Sequence, residues 1–161
     1  MHIGFSYTGA LMLALLFIPN LFWTRCRPRN YERYVTEERR LYRILERIGE
    51  VLVTGLSLIF SDFNWGQPFP QTLWLAAAGL VMALYEVWWL RYFHSARTMR
   101  DFYSSLLGIP VAGASLPVLA FMALAVYGRN PLLFVSAVVL GVGHIGIHLE
   151  HSRETVESDE K

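Results

Sequence analysis

The chain has 161 residues, 54% of them hydrophobic and 17% charged, with a mean hydropathy of +0.35, more apolar than a soluble domain of this length and suited to lipid surroundings. Its formal net charge is only +1 and its arginines gather in a few short stretches, which speaks for membrane topology and against a nucleic-acid partner. The single Cys26 excludes an internal disulfide framework and a cysteine-based metal cluster, and reads as a juxtamembrane thiol.

The first apolar run, residues 3–23, suffices to cross about 30 Å of hydrocarbon at about 1.5 Å per residue. Only His2 stands ahead of it and the positive residues follow, the reverse of a cleaved signal peptide, so it is read as a retained span. Next, Leu41, Ile44, Leu45 and Ile48 recur at helical spacing, with Arg40, Arg43, Glu46 and Arg47 on other faces. Thr36, followed by Glu37 and Glu38, suits the start of this amphipathic lead-in, and the spacing predicts a second span over residues 41–63. Gly66, Pro68 and Pro70 then form a turn before a third span over 73–93. A polar stretch at 94–101 and a turn at 128–131 set off two further spans, 106–127 and 132–149. The acidic tail 152–161 reads as a solvated end.

The expected fold is therefore an all-α integral membrane protein, a bundle of five transmembrane helices over residues 1–151 with a polar cytoplasmic tail over 152–161. Arg25, Arg27, Arg29, Arg33, Arg39, Arg40, Arg43 and Arg47 fall on one side, joined by Arg91, Arg97, Arg100, Arg153 and Lys161, against Arg129 on the other. Cytoplasmic loops retain such an excess, so the N-terminus is placed outside and the C-terminus in the cytoplasm of a multi-pass plasma (inner) membrane protein. Trp23, Trp88 and Trp89 then fall near the inner interface, and Trp65 and Trp74 near the outer one, as in an aromatic belt. The arginine-rich loop is read as this topological signal and not as a lipid-headgroup receptor, because Glu32, Glu37, Glu38 and Glu46 dilute it. The partners expected are the bilayer itself and, for so short a chain, further copies in a homo-oligomer.

An ionised side chain at the bilayer centre costs about 2.5–3.5 kcal/mol on insertion scales, so each should face the bundle interior or a watery cavity. Glu50, Glu86, His144 and His148 all fall in the inner half of the membrane by topology. His144 and His148, four residues apart, share a helix face, a spacing that suits two ligands of one divalent metal such as zinc or iron, completed by Glu50 or Glu86. The same groups could equally relay protons, and each has a bland reading. Glu50 can pair with Arg47 one turn back, His148 can oppose a helix dipole, and His144 can be structural. Arg91, His94, Arg97, Arg100 and Asp101 are either a site for an anionic substrate or ordinary loop charges.

Gly108, Pro110, Gly113, Ser115 and Pro117 predict a kinked fourth span, and Gly141, Gly143 and Gly146 a packing seam in the fifth. No nucleophile elbow, dinucleotide turn, phosphate loop or H-E-x-x-H zinc motif is present in the sequence. Three functions remain: a proton- or metal-linked transporter or channel, ranked first; a membrane-embedded metal-dependent enzyme; and a non-catalytic accessory or immunity protein.

Overall fold

Six α-helices account for most of the described residues, 1–29, 31 and 38–159, of the computed structural model. They are α1 (Tyr7–Trp23), α2 (Arg40–Ile59), α3 (Gln71–Phe93), the single turn α4 (Met99–Phe102), α5 (Ala112–Tyr127) and α6 (Pro131–Asp159). No strand is present among the described residues, though Ile3 and Phe60 form an isolated antiparallel bridge. The expected helix start at Thr36 and Glu37 lies outside the described residues, as do Glu32, Arg33 and Lys161. Gln71–Phe93 and the Pro131–Thr155 stretch of α6 are long and apolar enough to cross a membrane, whereas Tyr7–Trp23 and Ala112–Tyr127 are apolar but shorter.

The order of packing is α2 on α6, α6 on α5 and α5 on α3, with α1 touching both α2 and α3. Helix α5 is the centre of the bundle. Its Ala112, Ala114, Ala120, Ala123 and Ala125 are buried, and such small side chains let neighbouring helices approach closely.

Local chemistry sets most helix ends. Ser6 Oγ accepts from the Gly9 N–H at 2.8 Å, capping α1. At α6, Pro131 takes the first turn and Asn130 Oδ1 accepts from the Leu133 N–H at 3.0 Å. Thr98 and Asp101 form a reciprocal capping box on α4.

Four expectations need correction. Residues 3–6 are not helical, because they lie extended along the end of α2, with Gly4 N–H donating to Ile59 O and Ser6 N–H to Leu58 O, both at 2.9 Å. The fourth helix begins at Ala112 and not at 106. Gly108 sits at φ 82° in a tight turn where Leu106 and Ile109 exchange backbone hydrogen bonds, and Pro110 disfavours helical backbone at the residue before it. Only Pro117 stands within α5. The tail at 152–159 is helical, because α6 continues past the apolar stretch with His151 and Thr155 buried and Arg39 Nε paired to Glu150 at 2.7 Å. Finally, Trp88 and Trp89 are not an interfacial belt. Both are buried among Tyr92, Phe93 and Phe102, with the Trp88 and Tyr92 rings stacked at 6.0 Å.

The end of the bundle away from the arginines is closed by Phe60, Phe63 and Tyr127, all buried, with the Tyr127 hydroxyl donating to Asn64 O at 2.8 Å. There Asp62 clamps the first residues, accepting from the His2 backbone N–H and from His2 Nδ1, the latter at 2.8 Å. Burial works to raise the Asp62 carboxyl, but the two His2 hydrogen bonds overrule it and hold the group below its ordinary value. Stability from this clamp is therefore present above the unfolded aspartate value and lost as pH falls through the lower folded one. Asp62→Asn is expected to cost about 1 kcal/mol at neutral pH, read from thermal unfolding in detergent, with the gap to the unsubstituted protein closing in acid.

Candidate functional site: a histidine and glutamate chamber at the arginine-rich end

Helices α2 and α6 run antiparallel at backbone contact, and glycines make this possible. A Cβ added at Gly143 would lie 2.4 Å from Glu46 N and 2.6 Å from Tyr42 O, and one at Gly49 would lie 2.4 Å from Leu140 Cα. The expected glycine seam is thus real at Gly143, and its partner is α2. This register sets Glu46 against His144. His144 Nδ1 and Glu46 Oε1 are 2.6 Å apart, a short charge-assisted hydrogen bond. With its Nδ1–H donated to the carboxylate, the imidazole keeps Nε2 for taking up or releasing a second proton.

The pair belongs to a longer polar strip. The His144 and His148 rings lie 4.5 Å apart, as their four-residue spacing requires, and His148 meets the Tyr103 ring edge-on at 5.5 Å. Tyr103 Oη lies 3.3 Å from Nδ1 of the buried His151. Three histidines at positions 144, 148 and 151 therefore line one face of α6.

This strip faces a cavity of about 860 Å³ walled by α1, α2, α3, α5 and α6. Its other walls include Trp23, Tyr85, Trp88, Trp89 and Phe121, and Glu38 and Glu50 add carboxylates. Asn20 spans one edge, donating to Leu16 O at 2.7 Å and to the Tyr85 hydroxyl at 2.8 Å. Near the closed end α1 lies on α2 so tightly that a Cβ at Gly9 would lie 1.8 Å from Ser57 O, whereas farther along Asn20 ties α1 to α3. The mouth of the chamber is marked by Phe17 of α1 and Val51 of α2, which line it and are still 47% and 72% exposed.

Two tyrosines outside the long helices, Tyr31 and Tyr103, complete the lining. Burial foremost, then the Glu38 carboxylate, raises the Tyr31 phenol above its ordinary value, with Arg27 opposing and Glu46 adding to the rise. Tyr103 is likewise raised, by burial first and then by Tyr31, Glu154 and Glu38.

The residues singled out from sequence fare differently. His144 and His148 come together, and Glu50 lines the same chamber, its nearest guanidinium being Arg47 at 3.9 Å. Glu86 is not among the chamber walls, and one of its carboxylate oxygens is buried without a hydrogen-bond partner. Arg91 is engaged in holding the loop, donating to Ser104 Oγ at 2.5 Å and Ser105 O at 2.9 Å. His94 is exposed, with Nδ1 2.8 Å from Leu90 O at the end of α3. Neither lines the chamber. Among the described residues, no group of three or more His, Cys, Asp or Glu converges as a metal-ligand set.

Sequence reasoning passed over Glu46, placing it among the charges of the lead-in, and did not join His151 to the other two histidines. One signal was available: Glu46 and Glu50 repeat at the same four-residue interval as His144 and His148, and glycines flank His144 where a close crossing is needed. Comparison with protein-family models, curated proteins and solved structures finds no match to this chain.

Proposed function

We propose that this protein is a multi-pass carrier of the plasma membrane that takes a solute into the chamber and couples its movement to proton exchange at Glu46 and His144. In this reading all five long helices span the bilayer, with the N-terminus outside and the C-terminus cytoplasmic. The two helices of full spanning length and the apolar α1 and α5 support it. So do the large apolar side chains left exposed on outward faces, among them Leu80, Val87, Leu90, Val135 and Val142, which bare protein surfaces seldom display together.

The observation that carries the reading is the Glu46–His144 hydrogen bond facing a sizeable cavity inside an apolar bundle. A carboxylate and an imidazole so placed are costly to bury, and intramembrane pairs of this kind mark solute and proton pathways. The titratable and charged groups around the pair come from several elements: Glu50 of α2, with Arg47 beside it, Tyr31 and Glu38 ahead of α2, Tyr103 after α4, and His148 and His151 of α6. Glu86 takes no part in this scheme.

A second reading has one specific observation in its favour. A carboxylate that orients an imidazole through Nδ1 also prepares Nε2 as a general base, so a membrane-embedded enzyme could act on a ligand held in the same chamber.

Accessibility separates the two. Thr54 lines the chamber, and a Thr54→Cys, Cys26→Ser protein in sealed vesicles can be challenged with an impermeant maleimide from either face. A carrier is expected to be labelled from both faces, with the ratio of the two rates shifting as pH is moved across neutrality. Labelling from one face alone at every pH would sink the carrier and leave the enzyme reading standing.

A further inference from the structure

The walls of the chamber say what kind of solute it takes. Nine of the lining residues are Phe, Trp or Tyr, three are glutamates, and none of the described ones is Lys or Arg. The absence of cations is not for want of arginines nearby. Arg39 and Arg43 have exposed side chains committed to Glu150 at 2.7 Å and Glu38 at 3.1 Å, and Arg47, 3.9 Å from Glu50, keeps its side chain 78% exposed. None of these three guanidinium groups is part of the chamber wall.

Aromatic faces carry negative potential and attract a cation within about 6 Å of the ring centroid, more strongly once water is removed. Trp23 already does this on one side, where the Arg27 guanidinium lies 5.3 Å from its ring centroid. A small hydrated metal ion would need several oxygen or nitrogen ligands converging on one point, and no such group is found among the described residues. An organic cation has the opposite requirement: wide apolar and aromatic walls with a carboxylate at a distance. A volume of about 860 Å³ accommodates a drug-sized molecule, and the mouth between Phe17 and Val51 opens through apolar side chains.

We propose that the solute is a lipophilic organic cation, a bulky ammonium or phosphonium compound, that enters from the bilayer between α1 and α2, packs on the chamber's aromatic rings and sets its charge by Glu46 and Glu50. This rests on the carrier reading only for what happens after binding. Protonation of the glutamates removes the counter-charge, so the cation and the proton compete. The order of events is one exchange: the cation arrives, the Glu46–His144 pair releases a proton, and the reverse occurs on the other side.

The probe is tetraphenylphosphonium, with tetraphenylborate as a molecule of matched shape and opposite charge. Binding to the purified full chain in detergent is followed by equilibrium dialysis and by quenching of tryptophan fluorescence, since Trp23, Trp88 and Trp89 line the chamber. The phosphonium is expected to bind saturably and at least about tenfold more tightly than the borate, with affinity falling as pH is lowered. Glu46→Gln and Glu50→Gln, each first shown to unfold cooperatively, are expected to weaken the phosphonium and not the borate. Equal or tighter borate binding, no saturable binding of either ion, or phosphonium binding unchanged in both variants would overturn the proposal. Phosphonium binding in a protein whose Thr54→Cys is reached from one face alone would keep the cation site and remove carriage. Access from both faces without phosphonium preference would do the reverse.

Discussion

Alanine at Gly143 is expected to destabilise the detergent-purified protein by about 1–3 kcal/mol, the range for overpacking a well-filled interior, and to push Glu46 away from His144. The added Cβ would meet Glu46 N at 2.4 Å and Tyr42 O at 2.6 Å, and these are backbone atoms that no side-chain rotation can move aside. Either α2 and α6 separate locally or the helix bends, and both responses lengthen the 2.6 Å bond that the crossing supports. Gly55 and Gly79 supply the comparison, since a Cβ at either would meet nothing within 4 Å. Alanine there should be neutral or stabilising, because it is the better helix former by about 1 kcal/mol. Thermal unfolding of the three variants side by side is the measurement. A Gly143→Ala protein as stable as the Gly55→Ala protein would mean that the two helices do not cross as described.

Removing one member of the Glu46–His144 pair should have the largest functional effect. Hydrogen bonds to charged groups contribute about 1.5–3 kcal/mol, and this one is sheltered, with side-chain exposures of 18% for Glu46 and 26% for His144. A double-mutant cycle of Glu46→Gln and His144→Ala is expected to show a coupling energy in that range, whereas Glu86→Gln paired with His144→Ala should show additivity. The same substitutions carry a second readout. In the Thr54→Cys background, Glu46→Gln should abolish the response of the labelling ratio to pH, because the neutral amide no longer supplies the negative charge that holds the His144 Nδ1–H and supports proton exchange at Nε2. His94→Ala should leave that response intact, since its ring sits on Leu90 O at the far side of α3's last turn. A Glu46→Gln protein whose labelling still follows pH would show that the proton is exchanged elsewhere.

Much of the helical framework was legible from hydropathy alone, because apolar stretches with Gly and Pro between them have few alternatives to helix. Residues 73–93 and Gln71–Phe93 coincide to within two residues at the start and agree at the end. The lead-in's helical spacing was also legible, and α2 does begin at Arg40. Helix ends were read less well where local geometry overrode hydropathy. Residues 3–6 are as apolar as a helix needs, yet they pair with the end of α2, and Leu106 is apolar but precedes a glycine turn and a proline. The acidic composition of 152–159 looked solvated, but α6 continues through it, and Thr155, one turn beyond the buried His151, is buried as well.

The sequence by itself determined that the chain is helical and where the five long helices have their apolar centres, and it grouped Glu50, His144 and His148, which the fold does bring to one chamber. It also put His144 and His148 on one face, since four residues make about one turn. Which carboxylate meets them was decided only in three dimensions. Periodicity tells which residues share a face of a helix, but in helices as uniformly apolar as α3, α5 and α6 no polar face tells which neighbour that face meets. The contact that decides is between backbones, at Gly143 and Gly49, and it selects Glu46 over Glu50 by one turn of α2 and leaves Glu86 outside the chamber. The cavity is likewise a product of packing, since it arises where α1 leaves α2 at Gly9 and leans on α3 at Asn20, a divergence that no linear pattern records.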